Sequence, residues 1–359
     1  MPREPPQMRF CTSRDGTRIA YEASGSGPAI IRLAGLFTHL EFDRDSSIWG
    51  PWLAALGKGR TLIRYDARGS GMSDNEGVSF SFERFIEDLE AVVDATGLRT
   101  FALFGIGGPC ALAAAYAVRH PERVTHLVLH AAFTRGRIAR ASSSVQIEET
   151  EAVLKLTSLG FNDDDPSRRQ MVTTQFLPDG TVEQLREFGD LLRLSSTAHN
   201  TAEFLRAWYI VDIRMLLPQV RCPTLVLHPR AGFRVPLEEG RLVAQSIPGA
   251  RLVLLKTRNT YLPKDDPAWT QVIAELDSFL PADHSAPVTG DLRLEKLTPR
   301  EREVCAAVVE GLGNKEIARR LGVADKTIRN HLSAIFDKLN VSSRSQLIVR
   351  ARTTGTACR

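Results

Sequence analysis

Cysteine is scarce and scattered in this 359-residue chain. The five residues are Cys11, Cys110, Cys222, Cys305 and Cys358, an odd number with no two close in sequence. That excludes a thiolate metal clip and a disulfide framework, and it fits reduced thiols in a cytoplasmic protein. The first ten residues, MPREPPQMRF, lack an apolar signal core. One uncharged run, 101–118, reaches the length of a marginal membrane span. Gly105, Gly107, Gly108 and Pro109 interrupt its middle, so it reads as a buried strand, a tight turn and a buried helix, with no membrane partner. There is no internal repeat, no phosphate-binding loop and no recognisable cofactor motif. The acidic stretch NDDDPS (162–167) has no ligand spacing that singles out a metal, so neither metal nor cofactor is expected.

What is present is a soluble, globular composition, 43% hydrophobic and 25% charged, long enough for a sizeable core and more than one domain. The net charge of +4 is unevenly spread. Residues 290–359 hold 14 Lys and Arg against 8 Asp and Glu, whereas residues 1–289 hold 32 against 34. The excess of cations at the C-terminal end points to a polyanionic partner there.

The segment 9–33 alternates around the turns RDGT and SGSGP, which predicts a hairpin leading into a buried strand. Strands then alternate with helices: RTLIRY, the helix FERFIEDLEAVVDATG, TFALFG, the Ala-rich helix CALAAAYAVRH and THLVLH. Strands apolar throughout and separated by helices predict an α/β fold, a mostly parallel sheet covered on both faces. The rhythm lapses over 135–217, which reads as an all-helical cap, and returns at CPTLVLH, ARLVLLK and a helix at 267–280. PADHSAPVTG marks a linker, placed at 282–294 between a first domain, 1–281, and an all-α domain, 295–359.

The order of these segments resembles the α/β-hydrolase fold family over roughly residues 9–280. The resemblance implies a pocket beneath the cap, with a nucleophile on a strand-to-helix turn of pattern G-x-S-x-G, followed by an acid and a histidine. Here the turn is Gly105-Ile106-Gly107-Gly108-Pro109, and Gly107 stands at the nucleophile position. In HPRAGFRVP, Gly232 stands about where the acid belongs, and in KTRNTYLPKDDP, Thr260 replaces the histidine. With three vacant roles the chain reads as a non-enzyme that binds a small, largely apolar effector. By fold analogy Leu36, Phe37, His39, Ile106 and Gly107 line its pocket. The alternative is an esterase with its own DNA tether. It would need a substitute nucleophile such as Cys110, Ser70 or Ser73. Cys110 reads better as a core residue, the serines as turn residues, and His130 and His228 as structural histidines at strand ends.

The last stretch, from LTPREREV through GLGNKEIARRLGV to KTIRNHLSAIFDKLNVSSRSQ, contains two short helices around a tight Gly turn, then a third helix over 326–340. Thr298, Pro299 and Glu301 form an N-terminal capping signal. Ile328, Leu332, Ile335 and Leu339 form one apolar stripe of the third helix. Lys326, Thr327, Arg329, Asn330 and Ser333 lie off it, near the N-terminal end that reads base edges in a recognition helix. Lys315, Thr327, His331 and Lys338 are placed for phosphates. The segment 297–352 closely resembles the LuxR/GerE-type DNA-binding domain. That resemblance implies a four-helix unit that binds double-stranded operator DNA as a homodimer, with an inverted repeat as its site. Gly313 and Ala324 stand where that family often has Ser, at helix starts.

Overall fold

The computed structural model describes residues 6–159, 166–232, 234–282, 297–309 and 312–324, with Thr327, Ile328, His331, Leu332, Ala334, Ile335 and Lys338 beyond them. The chain divides into two compact units, Met1–Asp283 and His284–Arg359.

The larger unit is built on eight strands: β1 (Arg9–Thr12), β2 (Arg18–Gly25), β3 (Ala29–Arg32), β4 (Thr61–Tyr65), β5 (Phe101–Ile106), β6 (Val124–His130), β7 (Thr224–Pro229) and β8 (Arg251–Leu255). They form one sheet in the order β1-β2-β4-β3-β5-β6-β7-β8. β1 and β2 run antiparallel because a short turn through Gly16 (φ +91°) joins them, and β2 meets β4 antiparallel. From β4 to β8 every pairing is parallel, each reached by a crossover. The all-apolar strands are buried on both faces, as a covered parallel sheet requires. Helices α1 (Phe42–Asp45), α2 (Trp49–Leu56), α3 (Phe82–Thr96), α4 (Pro109–Arg119), α9 (Leu237–Ser246) and α10 (Trp269–Phe279) belong to these connections. Ser81 accepts the Arg84 N–H at the start of α3, and Gly97 ends it in the left-handed conformation, φ +66°. The small side chains of α4 let it lie close on the sheet: Ala111 and Ala113 to Ala115 are all buried.

Between β6 and β7 the chain forms the cap: α5 (Ser144–Ser158), α6 (Pro166–Phe176), α7 (Val182–Ser195) and α8 (Ala198–Tyr209). Hydroxyl caps start three of them: Ser143 accepts from Gln146 N, Thr181 from Gln184 N and Thr197 from Asn200 N. Most of the NDDDPS stretch lies outside the described residues.

The smaller unit contains α11 (Pro299–Val309) and α12 (Asn314–Leu321). The capping signal takes the expected form: Thr298 N donates to Glu301 Oε2 at 2.8 Å and Glu301 N to Thr298 Oγ1 at 3.3 Å. Gly313 has no side chain to cap α12, but Glu316 reaches back and accepts its N–H at 2.6 Å. Gly322, φ +65°, closes that helix. Val304, Cys305, Val308 and Ile317 form a core with Ile328, Leu332 and Ile335, so three of the four stripe residues are buried together; Leu339 lies outside the described residues. Among the described residues no helix is long and apolar enough to cross a membrane, and no His, Cys, Asp and Glu group is placed to hold a metal.

Candidate ligand pocket and nucleic-acid interface

Sheet order reverses between β3 and β5, and ligands of open α/β sheets sit outside the carboxyl ends of strands at such a point. A cavity of about 370 Å³ opens there. Leu36 reaches it from the segment after β3, Gly107 and Gly108 from the turn after β5, Phe133 after β6, Val235 after β7 and Thr260 after β8. The cap roofs it with Phe176, Phe204, Leu205 and Trp208. Its aromatic wall is a packed set: Phe176 stacks on Tyr261 with centroids 4.9 Å apart, and Trp208 stacks on Phe85 at 4.8 Å.

The floor is the turn at Gly107. Its φ is +67°, its N–H donates to the His130 carbonyl at 2.9 Å, and a Cβ built on it meets nothing within 4 Å. The turn is thus sharp and leaves open space where a side chain on Gly107 would stand. Its neighbours are tightly enclosed. A Cβ on Gly105 would lie 2.9 Å from the backbone of Pro109 and Cys110, and one on Gly108 would lie 2.7 Å from the Trp208 ring.

Thr260 lines the cavity, and its backbone is held from two sides. Its N–H donates to the Phe176 carbonyl at 2.8 Å, and its carbonyl accepts from His130 Nε2 at 2.8 Å. Burial lowers the His130 pKa to about 4, so the ring is neutral. Gly232 does not line the cavity. The buried carboxylate nearby, Glu239 on α9, is consumed structurally: its Oε2 accepts from Thr134 N at 2.7 Å, Thr134 Oγ1 at 2.6 Å and Arg135 N at 3.2 Å.

Two of the substitute nucleophiles, Cys110 and Ser73, are committed elsewhere. Cys110 is buried, its Sγ 3.2 Å from the Gly105 carbonyl and 3.3 Å from that of His130, and burial pushes its thiol far above the usual range. Ser73 donates to the Asp66 carbonyl at 2.7 Å and accepts from Ala20 N at 2.9 Å. His228 points Nε2 at the Val235 carbonyl, 3.3 Å away.

Three sequence expectations for the pocket need correction. Phe37 packs its ring against Phe176 and Phe188 behind the wall, with its backbone at φ +66°, and does not line the cavity. His39 also lies off it, its Nδ1 accepting the Phe42 N–H at the start of α1. Leu36, Ile106 and Gly107 do line it. The third correction concerns polarity. The cavity is apolar and aromatic over much of its wall, but Arg137, Arg140 and Arg234 also line it, and no carboxylate does so among the described residues. Arg140 donates to the Arg135 and Arg234 carbonyls at 3.1 and 3.3 Å. Arg234 donates to Gln175 Oε1 at 3.2 Å and lies 3.8 Å over the Phe176 ring. Sequence reasoning missed all three. The dense run TRGRIAR directly after β6 was the signal available.

In the smaller unit, Thr327 and His331 are helical and half-buried. Lys326, Arg329 and Asn330 lie outside the described residues, as does the side chain of Lys315. Lys338 has a partner the sequence did not suggest: its Nζ lies 2.7 Å from Glu301 Oε2 and 2.8 Å from Oε1. That pairing, together with the Thr298 N–H, holds the Glu301 carboxyl below its ordinary pKa and ties Lys338 to α11 rather than leaving it free for a phosphate.

The family model of the α/β hydrolase fold matches residues 28–258, and that of bacterial regulatory proteins of the luxR family matches residues 295–351. An HTH-type transcriptional regulator of Mycobacterium bovis is 47% identical over 60 residues, 17% of this chain. The chain covers only 7% of that relative's length. A pyrrolizixenacetamide deacetylase of Xenorhabdus hominickii is 24% identical over 247 residues, 67% of this chain and 87% of the relative. Among solved structures, a hydrolase from Pseudomonas aeruginosa superposes with a TM-score of 0.63 at 24% identity, covering 77% of this chain and 99% of its own, which establishes the shared fold.

Proposed function

Because the chain belongs to the α/β-hydrolase fold family and carries a luxR-family helix-turn-helix domain, we propose that it is a transcriptional regulator whose larger unit binds a small effector without turning it over. The smaller unit then binds operator DNA as a homodimer, at an inverted repeat. The observation that carries this reading is Gly107: the elbow geometry persists over an open cavity, with no side chain there to attack a substrate. Thr260 supplies no base at the histidine position, and the buried, neutral thiol of Cys110 offers no substitute.

Base contacts fall to Lys326, Arg329 and Asn330, where Arg and Lys pair with guanine and Asn with adenine. Lys315, Thr327 and His331 are assigned to phosphates, which supply affinity rather than sequence choice. Control requires that the effector bind two states of the protein with different affinity, for instance two arrangements of the cap or of a dimer contact.

The test pairs two assays on the purified full chain. A panel of chromogenic esters should give no turnover above background, in the wild type and in Cys110→Ala alike. Native mass spectrometry should find a small molecule retained by the wild type and lost when Gly107→Leu fills the open space before that residue. Turnover abolished by Cys110→Ala would make the chain an enzyme instead.

A further inference from the structure

Three cations line one cavity. Arg137, Arg140 and Arg234 all line it, and the described lining contains no Asp or Glu. The buried acid closest in role, Glu239, already satisfies Thr134 and Arg135. Arg140 and Arg234 each spend part of their guanidinium on neutral oxygens, a carbonyl or the Gln175 amide, rather than on a carboxylate. Among the described residues Arg137 has neither a hydrogen bond nor an ion pair. Burial pushes the Arg140 pKa down; the charge of Glu239 opposes that, and the like charges of Arg137 and Arg234 add to it, so the guanidinium groups are near enough to repel. Gathering cations in a partly desolvated site is costly unless an anion joins them. Where function requires such a cluster, stability is given up for it.

The rest of the wall says what the anion is attached to. Phe133, Phe204, Trp208 and Tyr261 give it a broad aromatic face, beside which Gln175, Tyr209 and Thr260 are the uncharged polar side chains. The volume of about 370 Å³ is at the small end for a ligand site, which suits a compact molecule rather than a nucleotide or a long chain. Guanidinium groups match a planar carboxylate with paired N–H donors.

We propose that the effector is a small amphipathic carboxylate, its apolar body among the aromatic side chains and its carboxylate received by Arg137, Arg140 and Arg234. This rests on the reading of the cavity as a binding site, and it replaces a largely apolar effector with an anionic one. Arg137, without a partner among the described residues, is placed to answer the ligand, while Arg140 and Arg234 also hold the pocket walls together.

The experiment uses the full-length protein, with thermal unfolding and calorimetric titration at low salt. The probes are phenyl-terminated and straight-chain carboxylates of six to twelve carbons, each beside the primary amide of the same skeleton. The proposal predicts that carboxylates bind at least tenfold more tightly than their amides, with the preference shrinking as salt rises. Arg137→Gln should remove that preference without lowering the melting temperature of the unliganded protein, since it relieves repulsion; Arg137→Lys should restore part of it. If Arg137 were only structural, Arg137→Gln would lower the unliganded melting temperature and leave the preference for acid over amide as it is in the wild type. Amides binding as well as acids would overturn the anionic effector while leaving a binding cavity. Neither series binding would overturn the effector reading as well.

Discussion

The ring of His130 is tied to the carbonyl of Thr260 across 2.8 Å, joining the end of β6 to the loop after β8. Because a carbonyl only accepts, Nε2 must carry the hydrogen. Nδ1 is buried with no partner among the described residues. A second proton would put a charge into the core beneath the pocket, and burial lowers the His130 pKa from 6.5 to about 4. Between those two values the unfolded chain binds a proton that the folded chain refuses. Stability from this group is therefore complete above pH 6.5 and is lost progressively as pH falls to about 4, by about 3 kcal/mol in all. His130→Gln keeps a donor for Thr260 and removes the titration. Chemical denaturation at several pH values should show a flatter acid limb in that variant, whereas an unchanged limb would assign the acid sensitivity to other groups.

Restoring a hydroxyl at the elbow should not restore an enzyme. The Cβ of Gly107→Ser meets no atom within 4 Å, so the main cost is that of a non-glycine residue at φ +67°, about 1–2 kcal/mol. On the proposed reading Thr260 stands in place of a histidine, so the serine has no base, and the variant should hydrolyse p-nitrophenyl esters no faster than the wild type. A burst of released nitrophenol would show that the site retains a working activator.

The elbow and the cap are in direct contact, and one methyl group tests that. Gly108→Ala places a Cβ 2.7 Å from the Trp208 ring. Trp208 is itself held against Phe85, so it has little room to yield. The expected result is a loss of about 1–3 kcal/mol of stability together with weaker ligand binding. Wild-type values on both measures would mean that α8 moves freely over the elbow.

On the DNA side, the two kinds of contact separate by their salt and sequence dependence. Lys315→Ala should weaken binding about equally for all sequences and reduce the salt slope by about one. Asn330→Ala should cost about 1–3 kcal/mol on the best site and relax the preference at one base pair. Lys338→Ala should leave the salt slope unchanged but lower the stability of the smaller unit, because its ammonium is paired with Glu301. Fluorescence anisotropy across a salt series distinguishes these outcomes.

The strand and helix rhythm, the hairpin at Gly16 and the capping of α11 were legible because each is a local pattern: period, apolar run, turn residue, capping pair. The short helices α1 and α2 and the turn into α9 were not, since tertiary contacts rather than periodicity hold them. For the pocket, fold analogy found the residues that the sheet itself positions, Leu36, Ile106 and Gly107. It failed for Phe37 and His39, whose side-chain directions depend on a loop with one residue at positive φ. It could not reach the arginines, because Arg137 and Arg140 come from the start of the cap and Arg234 from after β7, and only the folded chain brings them together. The partner of Lys338 was hidden for the same reason: Glu301 lies 37 positions away on another helix.

The central claim is that this chain reads specific DNA, and the most direct measurement is capture of sheared genomic DNA by the purified protein, sequenced at low and at raised salt. The account predicts discrete peaks sharing an inverted repeat that survive the added salt, because base contacts persist where phosphate contacts are screened. Diffuse recovery that vanishes with salt would contradict it.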